Sequence, residues 1–183
     1  LTTASLAVTR ATVLTRQLLA YAGRGKLVQR PVDLNDLVDS MGQLLSVSIP
    51  RKVKLVKHLA DRLPGVQGDD GQLQQLVMNL ITNAAEAIGD REGTVTLTTE
   101  ATTVTTAPPG IVGEPTLGPV VRVSVQDDGA GMSPGLQSRI FDPFFSTKGS
   151  GRGLGLAALA GILRGRGGAI ALESTVGKGT TFS

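Results

Sequence analysis

Apolar and polar positions alternate along this chain in two periods, and the periods divide it into elements. Ala4, Ala7, Ala11, Leu14, Leu18 and Tyr21 recur at alternating intervals of three and four residues, which predicts a helix over 1–22 with a seam for other helices. Gly23 and Gly25 end it. Residues 26–33 read as an extended lead-in. Asp33 then caps a helix over 34–47, where Leu34, Leu37, Val38, Met41, Leu44 and Leu45 fall at helical spacing. The period shortens to two at 52–59, with Val53, Leu55 and Leu59 on one face and lysines mostly on the other. Asp69 or Asp70 caps the next helix, over 71–88.

Two strands follow, at 93–100 and 119–127. The intervening stretch carries Pro108, Pro109, Gly110, Gly113, Pro115 and Gly118, and is expected to be a long, exposed hairpin loop without catalytic residues. Residues 128–153 are rich in glycine and proline, with a short helix opened by Ser133 and Pro134. A helix over 154–165, a strand over 168–174, a Gly-Lys-Gly turn and a strand from Thr180 complete the pattern. There is no βαβ rhythm. The expected fold class is therefore α+β: a two-layer sandwich with helices on one face of a mixed sheet. Residues 1–25 and 26–183 are expected to be separate units.

Composition narrows the chemistry. The 183 residues include no cysteine, which removes disulfides, thiolate metal sites and cysteine nucleophiles. His58 is the one histidine, so a multi-histidine metal site is excluded; it sits on the lysine side of its strand and reads as a solvated residue. No apolar run reaches the roughly 20 residues of a membrane span. A net charge of +3 and 3% aromatic residues argue against a nucleic-acid surface. The chain carries no leader-like segment and reads as a cytoplasmic-type piece of something longer. Glycine is the informative excess. Thirteen of the 24 glycines lie between Gly129 and Gly179, in clusters that suit backbone approached closely by a ligand.

Three stretches carry candidate chemistry. On the helix over 71–88, Leu73, Leu76, Val77, Leu80, Ile81, Ala84 and Ile88 occupy one arc, and Gln72, Gln75, Asn79, Asn83 and Glu86 the opposite one. Asn79 and Asn83 are one turn apart, and a carboxamide oxygen suits a hard cation such as Mg²⁺ when phosphates supply further ligands. Asp127-Asp128-Gly129-Ala130-Gly131 sets a carboxylate beside backbone able to turn sharply, an acceptor for the amine of a purine. Gly149 to Leu156 alternates four glycines ahead of a helix, exposing N–H groups to an anion, with Lys148 adjacent. A solvated face, a tight turn and a flexible linker are the plainer readings of each.

Taken in order, N-L-I-T-N-A-A-E-A at 79–87, D-D-G-A-G at 127–131, I-F-D-P-F-F-S-T-K at 140–148, G-R-G-L-G-L at 151–156 and G-K-G-T-T-F at 177–182 resemble the ordered boxes of the sensor histidine kinase catalytic domain. That domain belongs to the ATP-binding superfamily shared with DNA gyrase, the mismatch-repair ATPase and the 90-kDa heat-shock chaperone. The resemblance covers residues 27–183 and is nearest to the nitrogen-sensor-like and hybrid-kinase branch. T-R-Q-L-L-A-Y-A at 15–22 looks like the second helix of the preceding dimerisation and phosphotransfer hairpin.

The resemblance implies a Bergerat-type ATP-binding fold. It implies Asn83 as Mg²⁺ ligand and Asn79 near the phosphates. Asp127 would accept the adenine amine, supported by Thr180, with Gly129, Gly131, Met132 and Ala87 around the base. Phe141 to Lys148 would form a lid anchored by Phe144 and Phe145, with Lys148 on a phosphate. Gly151, Gly153, Leu154 and Gly155 would bring backbone N–H groups to the triphosphate. The implied cofactors are ATP and Mg²⁺. The implied reaction passes the γ-phosphoryl group to a histidine outside this chain, then to a response regulator, within a homodimer joined by the helix at 1–22. Asn79 stands where the hydrolysing branches place a glutamate base, so efficient ATP hydrolysis is not expected. A superfamily ATPase and a non-enzymatic, ATP-gated interaction module remain the alternatives.

Overall fold

The computed structural model describes residues 29–107, 111–113, 115–146, 155–163 and 168–183. The expected helix at 1–22 lies outside them. Strand β1 (Arg30–Val32) pairs antiparallel with β3 (Val66–Gly68), which sequence periodicity did not reveal because three residues show no period. Asp33 caps α1 (Leu34–Ser40) as expected, accepting the N–H of Asn35 at 2.8 Å. The helix predicted over 34–47 is interrupted at Met41, and α2 (Gly42–Ser48) resumes at once. Met41 keeps a right-handed backbone and is fully buried, so the break is a tightened turn.

The main sheet has five strands in the order β2 (Val53–Leu59), β4 (Gly93–Val104), β6 (Gly118–Asp127), β9 (Gly179–Phe182) and β8 (Leu172–Thr175). The β2–β4 pair is parallel and the rest antiparallel, which makes the sheet mixed. Its inner face carries Val95, Leu97 and Val125, all at 0% exposure. Helix α3 (Asp70–Ile88) lays Val77, Leu80, Ile81, Ala84 and Ile88 on that face, the arc its spacing predicts. Short helix α4 (Pro134–Gln137) and helix α5 (Gly155–Leu163) complete the described helices. The layout is the expected α+β sandwich.

Asn35 and Thr99 tie the layers together. Thr99, buried at 2%, donates to Asn35 Oδ1 at 2.8 Å, and Asn35 Nδ2 donates to the carbonyl of Ala60 at 2.7 Å. At the start of α3, Asp69 is the cap and accepts the N–H of Gln72 at 3.1 Å. Asp70, the first helical residue, pairs with Arg30, whose guanidinium holds its carboxyl below the ordinary carboxylate range. Asp69→Ala should therefore cost about 1 kcal/mol, read as a fall of roughly 2–4 °C in melting temperature for a chain of this size.

Two expectations change. The strand predicted over 168–174 splits at Ala171 into β7 (Ala169–Ile170) and β8, which join different sheets. The loop between β4 and β6 is not wholly exposed. Its β5 (Val112–Gly113) pairs with β7, and Ile170 is buried in the core.

Candidate functional site

Strand alternation decides which of two adjacent aspartates turns inward. Val125 faces the core, so Asp127 does too and is 3% exposed; Asp128 faces out, accepting the N–H of Thr94 at 3.1 Å. Asp127 ends β6 opposite Thr180 of β9, itself 4% exposed. The Asp127 carboxylate accepts the N–H of Gly129 at 2.8 Å. A side chain at Gly129 would meet that same carboxylate oxygen at 2.6 Å and the backbone of Ala87 at 2.7 Å. Here glycine is needed for close approach between the β6 end and α3. Ala130 N–H fastens the two by donating to the Ala87 carbonyl at 3.1 Å.

A cavity of about 330 Å³ opens beside this carboxylate, within the range of small-molecule sites. Of the candidate residues, Asn83, Ala87, Asp127, Gly131, Met132, Gly155 and Thr180 are brought together in its lining. Gly129 contributes through its bond to Asp127. Asn79 is one turn before Asn83, and its Nδ2 donates to the carbonyl of Gly155 at 3.3 Å, so it secures the start of α5. Glu86 stands at the exposed mouth beside Asn83. Lys148, Gly151, Gly153 and Leu154 lie outside the described residues.

Of the apolar walls, Phe145, as a lid anchor, and Met132 were foreseen from the sequence, but not the rest. Leu136, Ile140, Leu156 and Phe182 supply that rest. Their signal was only general: apolar residues in or beside the glycine-rich segments. Phe141 packs edge-on against Phe182 with centroids 6.5 Å apart. The Arg139 guanidinium lies 4.3 Å above the Phe145 ring. Phe144 departs from expectation. It is 75% exposed at φ 66°, while Phe141 and Phe145 pack against the core. Gln137 was also missed; its Nε2 donates to the carbonyls of Met132 and Ser174, at 2.9 and 3.1 Å, and holds α4 to β8.

The cavity thus offers a largely apolar slot with a buried carboxylate, and one amide side chain, Asn83, in its lining. That suits a planar, amine-bearing base with a polar tail. A family profile described as "Histidine kinase-, DNA gyrase B-, and HSP90-like ATPase" matches residues 68–183, well over half the chain. The chain belongs to this family. Among its relatives, the sensor kinase CckA of Brucella abortus (strain 2308) is 37% identical over 176 residues, covering 94% of this chain and 18% of CckA. Full-length ShkA, solved in complex with AMPPNP, superposes with a TM-score of 0.68 at 29% identity, covering 93% of this chain and 34% of ShkA. Histidine kinase ThkA, solved in complex with response regulator protein TrrA, gives a TM-score of 0.67 at 25% identity, covering 97% of this chain and 47% of ThkA. The chain spans less than half the length of each.

Two further observations bear on ligands. Among the described residues there is no group of three or more His, Asp or Glu able to hold a metal. Asn83, in the cavity lining, carries a carboxamide oxygen, a donor type that suits a hard cation arriving with phosphate ligands of its own. No described helix is long and apolar enough to cross a membrane.

Proposed function

We propose that this chain is the ATP-binding part of a sensor histidine kinase. It binds ATP with Mg²⁺ in the Asp127 cavity and presents the γ-phosphoryl group to a histidine elsewhere. The observation that carries this reading is the inward Asp127 carboxylate, buried at the end of an apolar cavity whose other wall bears Asn83. Asp127 takes the adenine amine, and the Leu136, Ile140 and Phe182 side chains exclude water from the ring. Asn83 would hold Mg²⁺ by its carboxamide oxygen. When bound, that ion neutralises phosphate charge.

The P–O bond to ADP breaks as a P–N bond to an imidazole forms, which demands positioning and charge neutralisation more than a strong base. Asn79 supports transfer over hydrolysis, since its amide cannot take a proton from water and is already bonded to Gly155. His58 is not the acceptor in this reading: it is exposed on β2, on the face turned away from the core where Val53 is buried. The acceptor histidine, a homodimer formed through residues 1–22, hand-on to a response-regulator aspartate and a cytoplasmic location belong to the same proposal. The ThkA–TrrA complex supports the regulator as partner.

Calorimetry with ADP and a non-hydrolysable ATP analogue, with and without Mg²⁺, tests the site. Asn83→Ala should leave Mg²⁺-free binding nearly intact. It should weaken the Mg²⁺-dependent gain by at least about 10–100-fold, the cost of losing even an outer-shell partner. Unchanged magnesium dependence would remove Asn83 from the metal. Acid-labile label on a separately supplied acceptor-histidine helix tests transfer. Steady phosphate release of order 1 s⁻¹ without such label would favour an ATPase instead.

A further inference from the structure

The hydrogen bonds where β8 meets β9 leave one consistent placement of protons. Ser174 Oγ has three partners: the Met132 N–H at 2.8 Å, the Gly179 carbonyl at 3.1 Å and Thr180 Oγ1 at 2.9 Å. A serine hydroxyl has one proton and two acceptor positions. The Gly179 carbonyl can only accept, so it takes the Ser174 proton. The Met132 N–H fills one acceptor position. The third bond is then made by Thr180 donating to Ser174. Thr180 Oγ1 is left with lone pairs alone, on the cavity floor across the strand pair from Asp127. An ionised carboxylate is likewise only an acceptor.

We propose that Ser174 is a positioning residue for base specificity: by fixing the Thr180 hydroxyl as an acceptor, it makes the floor select a purine bearing an amine over one bearing a carbonyl. This rests on the nucleotide reading above and adds a residue that lies outside the cavity lining. Ser174 touches no ligand; it acts through Thr180 and through the Met132 backbone. Without its oxygen, the Thr180 hydroxyl is free to turn its proton into the cavity, donor against donor with an adenine amine. A keto purine suffers no such loss.

The test compares binding of ATP, GTP and purine riboside triphosphate, which has no 6-substituent, by the intact chain and by Ser174→Ala. ATP binding should fall about tenfold, the worth of roughly one hydrogen bond. The ATP-to-GTP preference should narrow by a similar factor, and purine riboside triphosphate should change much less. Ser174→Thr, which keeps the hydroxyl, should restore the preference. Equal losses for all three nucleotides would reduce Ser174 to a structural role and overturn the proposal, leaving the nucleotide site intact. No binding of any of them by the unaltered chain would sink both. If Ser174→Ala fails to fold, neutron diffraction on the deuterated, unaltered protein decides. A deuteron carried by Thr180 and pointing at Ser174 supports the assignment; one carried by Ser174 and pointing at Thr180 overturns it.

Discussion

Replacing Asp127 by alanine is expected to remove measurable ATP and ADP binding while the chain stays folded. The carboxylate is 3% exposed and forms a polar end of a largely apolar slot. A hydrogen bond to a charged acceptor in such a place contributes about 3 kcal/mol at most, or roughly two orders of magnitude in affinity. The loss is larger than the bond, because the adenine amine would be buried facing a methyl group. Asp127→Asn should fare no better, although it is nearly the same shape. The Gly129 N–H claims one oxygen at 2.8 Å, so an asparagine must offer its carbonyl there and turn its NH₂ group into the cavity. Both variants can be followed by calorimetry beside far-UV circular dichroism. If Asp127→Ala binds ADP within threefold of the unaltered chain, the base lies elsewhere and the site assignment fails.

Why Asp127 was legible and Ser174 was not is a matter of how far each signal reaches along the chain. Asp127 is legible in the contiguous D-D-G-A-G segment, and its inward turn fits alternation within one strand, with Val125 two residues before it at 0% exposure. The arc of Asn79, Asn83 and Glu86 follows equally from α3 alone, since 3.6-residue periodicity is local. Ser174 gains its meaning only from β8 pairing with β9 in the register Ser174 to Thr180, and from Met132 arriving from another segment. Nothing in the composition of A-L-E-S-T at 171–175 announces a register, which depends on non-local pairing. The same reason hid β1 with β3, and β5 with β7. Phe144 and Phe145 look alike in sequence, yet the φ of 66° at Phe144 sends one ring outward and leaves the other against Arg139. The ordered boxes carried the family; the walls of the slot had to be seen.

Two glycines in the last turn separate conformational strain from collision, and their contrast makes the strongest stability prediction. Gly177 has φ 76° and Gly179 φ 93°, both in the left-handed region. Around Gly177 an added methyl group meets nothing within 4 Å. Gly177→Ala should thus cost only the left-handed penalty, about 1–2 kcal/mol. At Gly179 the same methyl would overlap the backbone carbonyl oxygen of Asp127 and lie 3.0 Å from the Asp128 Cα. Backbone cannot rotate away as a side chain can, so an overpacking cost of up to about 3 kcal/mol is added to the strain. A total near 4 kcal/mol is a large part of the usual margin of about 5–15 kcal/mol. Urea unfolding should show a clear gap between the two midpoints with similar slopes. The site registers the difference as well. Relief of the overlap must push β9 away from β6, and that pair holds Thr180 opposite Asp127. Any folded Gly179→Ala protein should therefore bind ADP poorly under conditions where Gly177→Ala binds normally. Equal stability and equal binding in the two variants would mean that the β6–β9 junction is not packed as tightly as the position of Asp127 requires.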